Sequence, residues 1–270
     1  RWRLTAIACG SNPDIWTKGH GCSTSPDWWE MPDLDVLYLT FNRKNFTELS
    51  LKHLIKNTDW NLVNKLVVYD DGSEDGTVEL VRLLLERSQV PNWEIVEDGH
   101  TGSPVIIMNR YVEKATSEWF AKIDSDIVVS PEWLPKMLSV VEATPGLEAL
   151  GMEPGRSGKP KAFQTEYTFA PGSHMGGVGL IRTASLGERP QIAADGRFGW
   201  TQFQQEHDLV RGWIAPDILM FSLDQLPFEP WSGLATEYNA LGWQRRWPPY
   251  HARWMSSYWE WAFPVQKEAK

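Results

Sequence analysis

The sequence predicts an α/β domain: a Rossmann-like, mostly parallel sheet flanked by helices, followed by a loop-rich, Trp-rich C-terminal part. Three observations predict it. Segments apolar on both faces alternate with segments of helical period from about residue 34 to Pro135, the pattern of βαβ units around a parallel sheet. Three of the strands end in polar or acidic residues, where ligands gather in open α/β sheets. Past Gly146 the alternation fades, while eight of the 16 Trp fall between Trp200 and Trp261.

Residues 1–33 carry Gly, Pro, Ser and Trp without a sustained period, and an irregular segment is expected there. Asp35–Phe41 reads as a central strand, and Leu51, Leu54 and Ile55 follow at helical spacing. Lys65–Tyr69 is the next strand, running into Asp70-Asp71-Gly72-Ser73. Asp75 reads as the N-cap of a helix carrying Val78, Val81 and Leu84. Trp93–Glu97 is a third strand. Ser103 before Pro104 then marks a helix start, with the helix expected through Ala115. Trp119–Ile123 is the fourth strand and leads into Asp124-Ser125-Asp126. No internal repeat or low-complexity linker divides residues 34–270, so one domain is expected.

Composition narrows the partners. A formal net charge of −9 disfavours nucleic acid and anionic membranes. No run approaches the length of a membrane span, and no basic-then-apolar leader opens the chain. Cys9 and Cys22 make no disulfide framework and, with His20, lack the short pairing of a zinc site. This usage suits a reducing, cytoplasmic setting.

Thr40-Phe41-Asn42-Arg43, Asp70-Asp71 and Asp124-Ser125-Asp126 stand at neighbouring strand ends. Carboxylates gathered on one edge repel one another, and a divalent cation would compensate them. Taken singly, each motif is also ordinary turn chemistry. Their order and placement at successive strand ends carry the argument.

Together, Tyr38–Arg43, Val68–Thr77 and Ala121–Ile127 resemble the N-terminal half of family 2 glycosyltransferases of the GT-A fold, over roughly residues 34–185. The resemblance implies a nucleotide-sugar half at about 34–130 and an acceptor half at about 131–270. It implies a donor-binding set of Thr40, Asn42, Arg43, Asp70, Asp71, Asn109, Asp124 and Ser125. Asp70 or Asp71 would contact the nucleoside, and the Asp-x-Asp motif is Asp124 and Asp126. Those two, with His251, would hold Mn²⁺ or Mg²⁺; an imidazole ligand would favour manganese. Gly177 and Arg182, in a Gly-rich strand, would lie with Trp200 at the acceptor site. The family's catalytic acid maps to Gly199-Trp200-Thr201, which has no carboxylate, so Glu206 or Asp208 is the candidate general base.

The expected activity is therefore inverting, cation-dependent transfer from a nucleoside-diphosphate sugar, UDP-linked first and GDP- or dTDP-linked next. The expected acceptor is a glycan, a lipid-linked sugar or a protein. The alternative is a carbohydrate-binding protein on the same fold without catalysis. A dinucleotide-binding oxidoreductase is disfavoured because Asn42-Arg43-Lys44, not a Gly-rich turn, follows the first strand. A nucleotidyltransferase would bring a basic, Gly-rich loop after its first strand, and none stands there. A P-loop fails because Gly155-Arg-Ser-Gly-Lys159 runs into Pro160.

Overall fold

The computed structural model describes residues 33–152, 168–172, 175–193, 199–215 and 220–223. Strand β1 (Leu34–Thr40) is buried along its whole length, which accounts for a run apolar on both faces. Helix α1 (Lys44–Asn57), strand β2 (Lys65–Asp70), helix α2 (Thr77–Glu86) and strand β3 (Trp93–Glu97) follow. Helix α3 (Pro104–Val112), strand β4 (Trp119–Asp124), a short strand β5 (Ile127–Val129) and helix α4 (Trp133–Ala143) complete the first half. The second half holds β6 (Ala149–Gly151), β7 (Thr168–Pro171), β8 (Gly179–Arg182), α5 (Thr183–Gly187), α6 (Gly199–Glu206), β9 (Arg211–Ala215) and β10 (Met220–Ser222).

Among the described residues the main sheet runs β3-β2-β1-β4-β8-β6-β9-β7, and β5 pairs with β10 apart from it. The pairs β1–β2, β2–β3 and β1–β4 are parallel. Beyond β4 the sheet becomes mixed, because β8 runs antiparallel to both β4 and β6. The parallel alternation expected from sequence thus describes the first four strands.

Two boundaries differ from the sequence reading. Gly76, with φ 82°, is the N-cap of α2 rather than Asp75. Asp75 still serves that helix start: its carboxylate accepts from the Thr77 N–H at 3.0 Å and from the Lys44 N–H at 3.0 Å. Helix α3 ends at Val112, three residues before Ala115, although Ser103 caps its start by accepting from the Val105 N–H.

Period-two alternation divides the core. Val36, Tyr38, Val68 and Ile123 pack with Leu51, Leu54, Val81 and Trp133 from α1, α2 and α4. Leu37, Leu39, Val67 and Phe120 pack on the opposite face with Val105, Tyr111 and Phe203 from α3 and α6. The chain steps outward from β1 to β2 to β3, then returns past β1 to lay down β4. That reversal puts a topological switch point between β1 and β4, where a crevice opens beyond the strand ends.

Asp35 is a buried carboxylate in this frame, 7% exposed, and accepts from the Tyr111 hydroxyl at 2.9 Å. Burial pushes its pKa above the ordinary 3.8, against the lowering effect of Tyr111 and Lys65. The folded state therefore holds this proton more tightly than the unfolded chain. Stability from this group is present in acid and is lost as pH rises through the folded pKa. Asp35→Asn removes that loss while leaving an oxygen to accept from Tyr111. Urea denaturation from acid to neutral pH should show the variant gaining on the wild type as pH rises, then a constant difference.

Candidate active site

A cleft of about 430 Å³ opens at the switch point. Thr40, Phe41 and Arg43 line it from the end of β1, Asp71 from β2, and Asp124, Ser125 and Asp126 from β4; His100 and Ser103 close one side. The acids of two strand ends, separated by more than fifty residues of chain, thus share one cavity.

Local hydrogen bonds set each side chain. Asn42 sits in the left-handed region at φ 43°, a conformation asparagine tolerates better than most. Its N–H donates to Ser73 Oγ at 2.8 Å, and its side-chain oxygen accepts from the Glu74 N–H at 2.7 Å. The turns after β1 and β2 are thereby fastened together. Thr40 Oγ1 lies 2.9 Å from Thr47 Oγ1 and so faces the start of α1.

The two consecutive aspartates have different work. Asp70 is 2% exposed, and its carboxylate accepts from the N–H groups of Gly72 and Ser73 and from the Ser73 hydroxyl. It organises its own turn. Asp71 reaches across to the loop after β3, accepting from the Thr101 N–H and from the Gly102 N–H at 3.0 Å. His100 Nδ1 lies 2.9 Å from the Asp71 carbonyl oxygen and 3.1 Å from its carboxylate. Gly72 permits this approach: its φ is 84°, and a Cβ there would stand 3.0 Å from the His100 nitrogen. The His100 ring stacks on Phe41 with centroids 4.6 Å apart.

At β4 each acid of the Asp-x-Asp motif meets a basic side chain. Lys122 Nζ lies 2.6 Å from Asp124 Oδ1, and Arg43 Nη1 lies 3.0 Å from Asp126 Oδ2. The Arg43 guanidinium also sits over the Phe46 ring at 5.5 Å. The charge repulsion that argued for a cation is thus answered within the chain: backbone N–H groups serve Asp70 and Asp71, and basic side chains serve Asp124 and Asp126. Two carboxylates bordering a cleft still fit a hard divalent ion, whose remaining oxygens would come from a ligand and water. Among the described residues no three His, Cys, Asp or Glu side chains gather into a fuller ligand set.

Other described residues singled out in the sequence are not among those lining the cleft. The Asn109 amide is engaged with the Ile192 backbone, at 2.9 Å to its oxygen and 3.0 Å from its nitrogen. Arg182 pairs in register with Trp119 at the far end of β4, about 16 Å of strand from Asp124. It meets Glu118 at 3.3 Å. Glu206 is exposed and accepts from Gln202 Nε2 at 2.6 Å; Asp208 is exposed at φ 48°. Neither lines the cleft. Trp200 is 8% exposed, and its indole N–H donates to the Gly176 oxygen at 3.2 Å. Gly177, next along, comes within reach of Asp124. His251 lies outside the described residues.

Sequence reading missed Phe41, His100 and Lys122 as site residues. Lys122 carried a signal, since a charged residue inside a doubly buried strand demands a partner. His100 carried none. A second cavity of about 260 Å³, bordered by Asp35, Lys65 and Arg110, lies beside β2, β3 and α3.

Comparison with known proteins places these observations. The sequence profile of "Glycosyl transferase family 2" matches residues 35–174, more than half of the 270. An uncharacterized glycosyltransferase of Haemophilus influenzae is 22% identical over 120 residues, 44% of this chain and 36% of its own length. This chain therefore matches little more than a third of that relative.

Among solved structures, the mannosyltransferase PcManGT from Pyrobaculum calidifontis, in complex with GDP-Man and Mn²⁺, aligns with a TM-score of 0.57 at 17% identity. The alignment covers 90% of this chain and 75% of that one. S. aureus TarS 1–349 aligns with a TM-score of 0.54 at 18% identity, over 76% and 65% of the two chains. The same protein in complex with UDP-GlcNAc aligns with a TM-score of 0.53 at 17% identity, over 76% and 66%. At such identities the likeness shows the fold, which is the GT-A type. With sheet order, cleft and sequence profile in agreement, the chain belongs to glycosyl transferase family 2.

Proposed function

We propose that this chain transfers a sugar from a nucleoside-diphosphate sugar to an acceptor hydroxyl, by a cation-assisted displacement that inverts the anomeric centre. One observation carries the reading: Phe41, Asp71, Asp124 and Asp126 border a single cleft at the switch point of the sheet. The GDP-Man bound to PcManGT and the UDP-GlcNAc bound to TarS support a donor of this class.

In this reading the base lies against Phe41. Asp71 holds one edge of it through Oδ1, which keeps acceptor capacity beyond its bond to Thr101, while Oδ2 serves Gly102 and lies 3.1 Å from His100 Nδ1. Asp124 and Asp126 face the diphosphate and would hold Mn²⁺ or Mg²⁺, which when bound offsets the charge growing on the leaving group. Arg43 adds a fixed positive charge beside the same phosphates. The acceptor oxygen bonds to the anomeric carbon as the bond to the diphosphate oxygen breaks, and the hydroxyl proton leaves to a base. Residues 34–130 bind the donor in this scheme, and residues 131–270 form the acceptor half, Gly177 among them. Glycans, lipid-linked sugars and proteins are the acceptor classes to test.

The test is incubation with UDP-, GDP- and dTDP-sugars and Mn²⁺, following nucleoside-diphosphate release. One donor should be turned over, and NMR of the product should show the opposite anomer. Nucleotide or sugar binding without release from any donor would instead mark a binding protein on this fold. A retained anomer would overturn inversion.

A further inference from the structure

Lys122 and Asp124 stand two residues apart on β4, so their side chains leave the same face of the sheet. Lys122 Nζ meets both carboxylate oxygens, at 2.6 Å and 2.8 Å. Lys122 is 3% exposed, and its register neighbours are Leu37 on β1 and Gly179 on β8. An ammonium in such surroundings holds its charge beside a partner, because desolvating it alone is costly. Asp124 provides the partner while keeping about a third of its side chain, 34%, open to solvent. Gly177 passes over the pair. A Cβ there would stand 3.4 Å from Lys122 Nζ and 4.0 Å from Asp124 Oδ2, so nothing from that residue obstructs the approach to the carboxylate.

We propose that Lys122 is a positioning residue that holds the Asp124 carboxylate and makes capture of a divalent cation depend on a bound nucleoside diphosphate. The inference rests on Asp124 and Asp126 being the cation-binding pair. Among the described residues, the Asp124 and Asp126 carboxylates meet one ammonium and one guanidinium, so the charge of this pair is close to balanced without nucleotide and a bare dication gains little from it. A diphosphate adds negative oxygens on the open side of Asp124. The balance then favours the cation, which shares the carboxylate with Lys122 from the opposite side.

The test is Mn²⁺ titration followed by EPR, with and without UDP or GDP, on the wild type, Lys122→Met, Lys122→Arg and Asp126→Asn. Methionine suits a buried apolar slot of this length. Without nucleotide, Lys122→Met should bind Mn²⁺ at least about tenfold more tightly than the wild type. Lys122→Arg, which keeps the charge, should stay close to the wild type. Equal affinity of Lys122→Met and wild type, with Asp126→Asn abolishing the nucleotide-dependent binding, overturns the role of Lys122 and leaves the cation site standing. Failure of the wild type to bind Mn²⁺ even with UDP or GDP overturns the cation site and the inference together. If Lys122→Met does not fold, Lys122→Gln takes its place in the same comparison. Binding without nucleotide at least about tenfold tighter than the wild type supports the inference, and equal affinities overturn it.

Discussion

On the proposed function, Asp126→Asn is expected to lower turnover of the donor sugar on the order of 100-fold or more, the scale on which removing one fixed electrostatic contact from a transition state is felt. The side chain borders the cleft and is 13% exposed, with Arg43 at 3.0 Å. Asparagine keeps the shape and an oxygen to accept from Arg43, so the local packing survives. What disappears is the negative charge that, in the proposed function, would hold a divalent ion against the diphosphate. The loss should therefore fall on kcat at saturating donor and cation, with thermal stability close to that of the wild type. A variant with full turnover would remove Asp126 from the donor site.

Gly179→Ala is expected to destabilise the protein by about 3 kcal/mol, through strain rather than chemistry. Gly179 has a φ of 150°, and a Cβ there would stand 2.1 Å from the Leu150 carbonyl oxygen and 2.9 Å from Gly151 Cα. Both belong to β6, paired with β8 in this register, so neither backbone atom can swing aside as a side chain would. Relief requires opening the β6–β8 ladder. In a domain of this size the melting temperature should fall by roughly 6–12 °C. Because Gly179 pairs with Lys122 across β4, donor binding should weaken in the same variant. A melting temperature within about 2 °C of the wild type would contradict the close packing of β8 against β6.

Strands β1, β2 and β4 were legible because burial on both faces forces long apolar runs, and β1 is buried from end to end. Strand β3, at the sheet edge with Glu94 and Glu97 exposed, was legible only from Trp93, Ile95 and Val96. Of the later strands, β6 and β10 hold three residues each, too few to show a period, and β8 was placed by resemblance to a Gly-rich strand rather than by its pattern. Sequence left Asp70 and Asp71 as equal candidates. Their difference lies in hydrogen bonding to the loop at residues 100–102, thirty residues away in sequence, which no local pattern reveals. Asn109 and Arg182 were singled out by resemblance, yet one is engaged with Ile192 and the other stands at the far end of β4. The gathering of strand-end acids was legible, since parallel strands must deliver their carboxyl ends to one edge. How those acids are neutralised was not, because Lys122 and Arg43 reach them only through tertiary packing.

The most direct measurement is a crystal structure of the protein soaked with UDP or GDP and Mn²⁺. The nucleobase is expected against Phe41 and Asp71, with the diphosphate beside Asp124 and Asp126. A nucleotide found instead in the cavity bordered by Asp35, Lys65 and Arg110, with the switch-point cleft left empty, would contradict it.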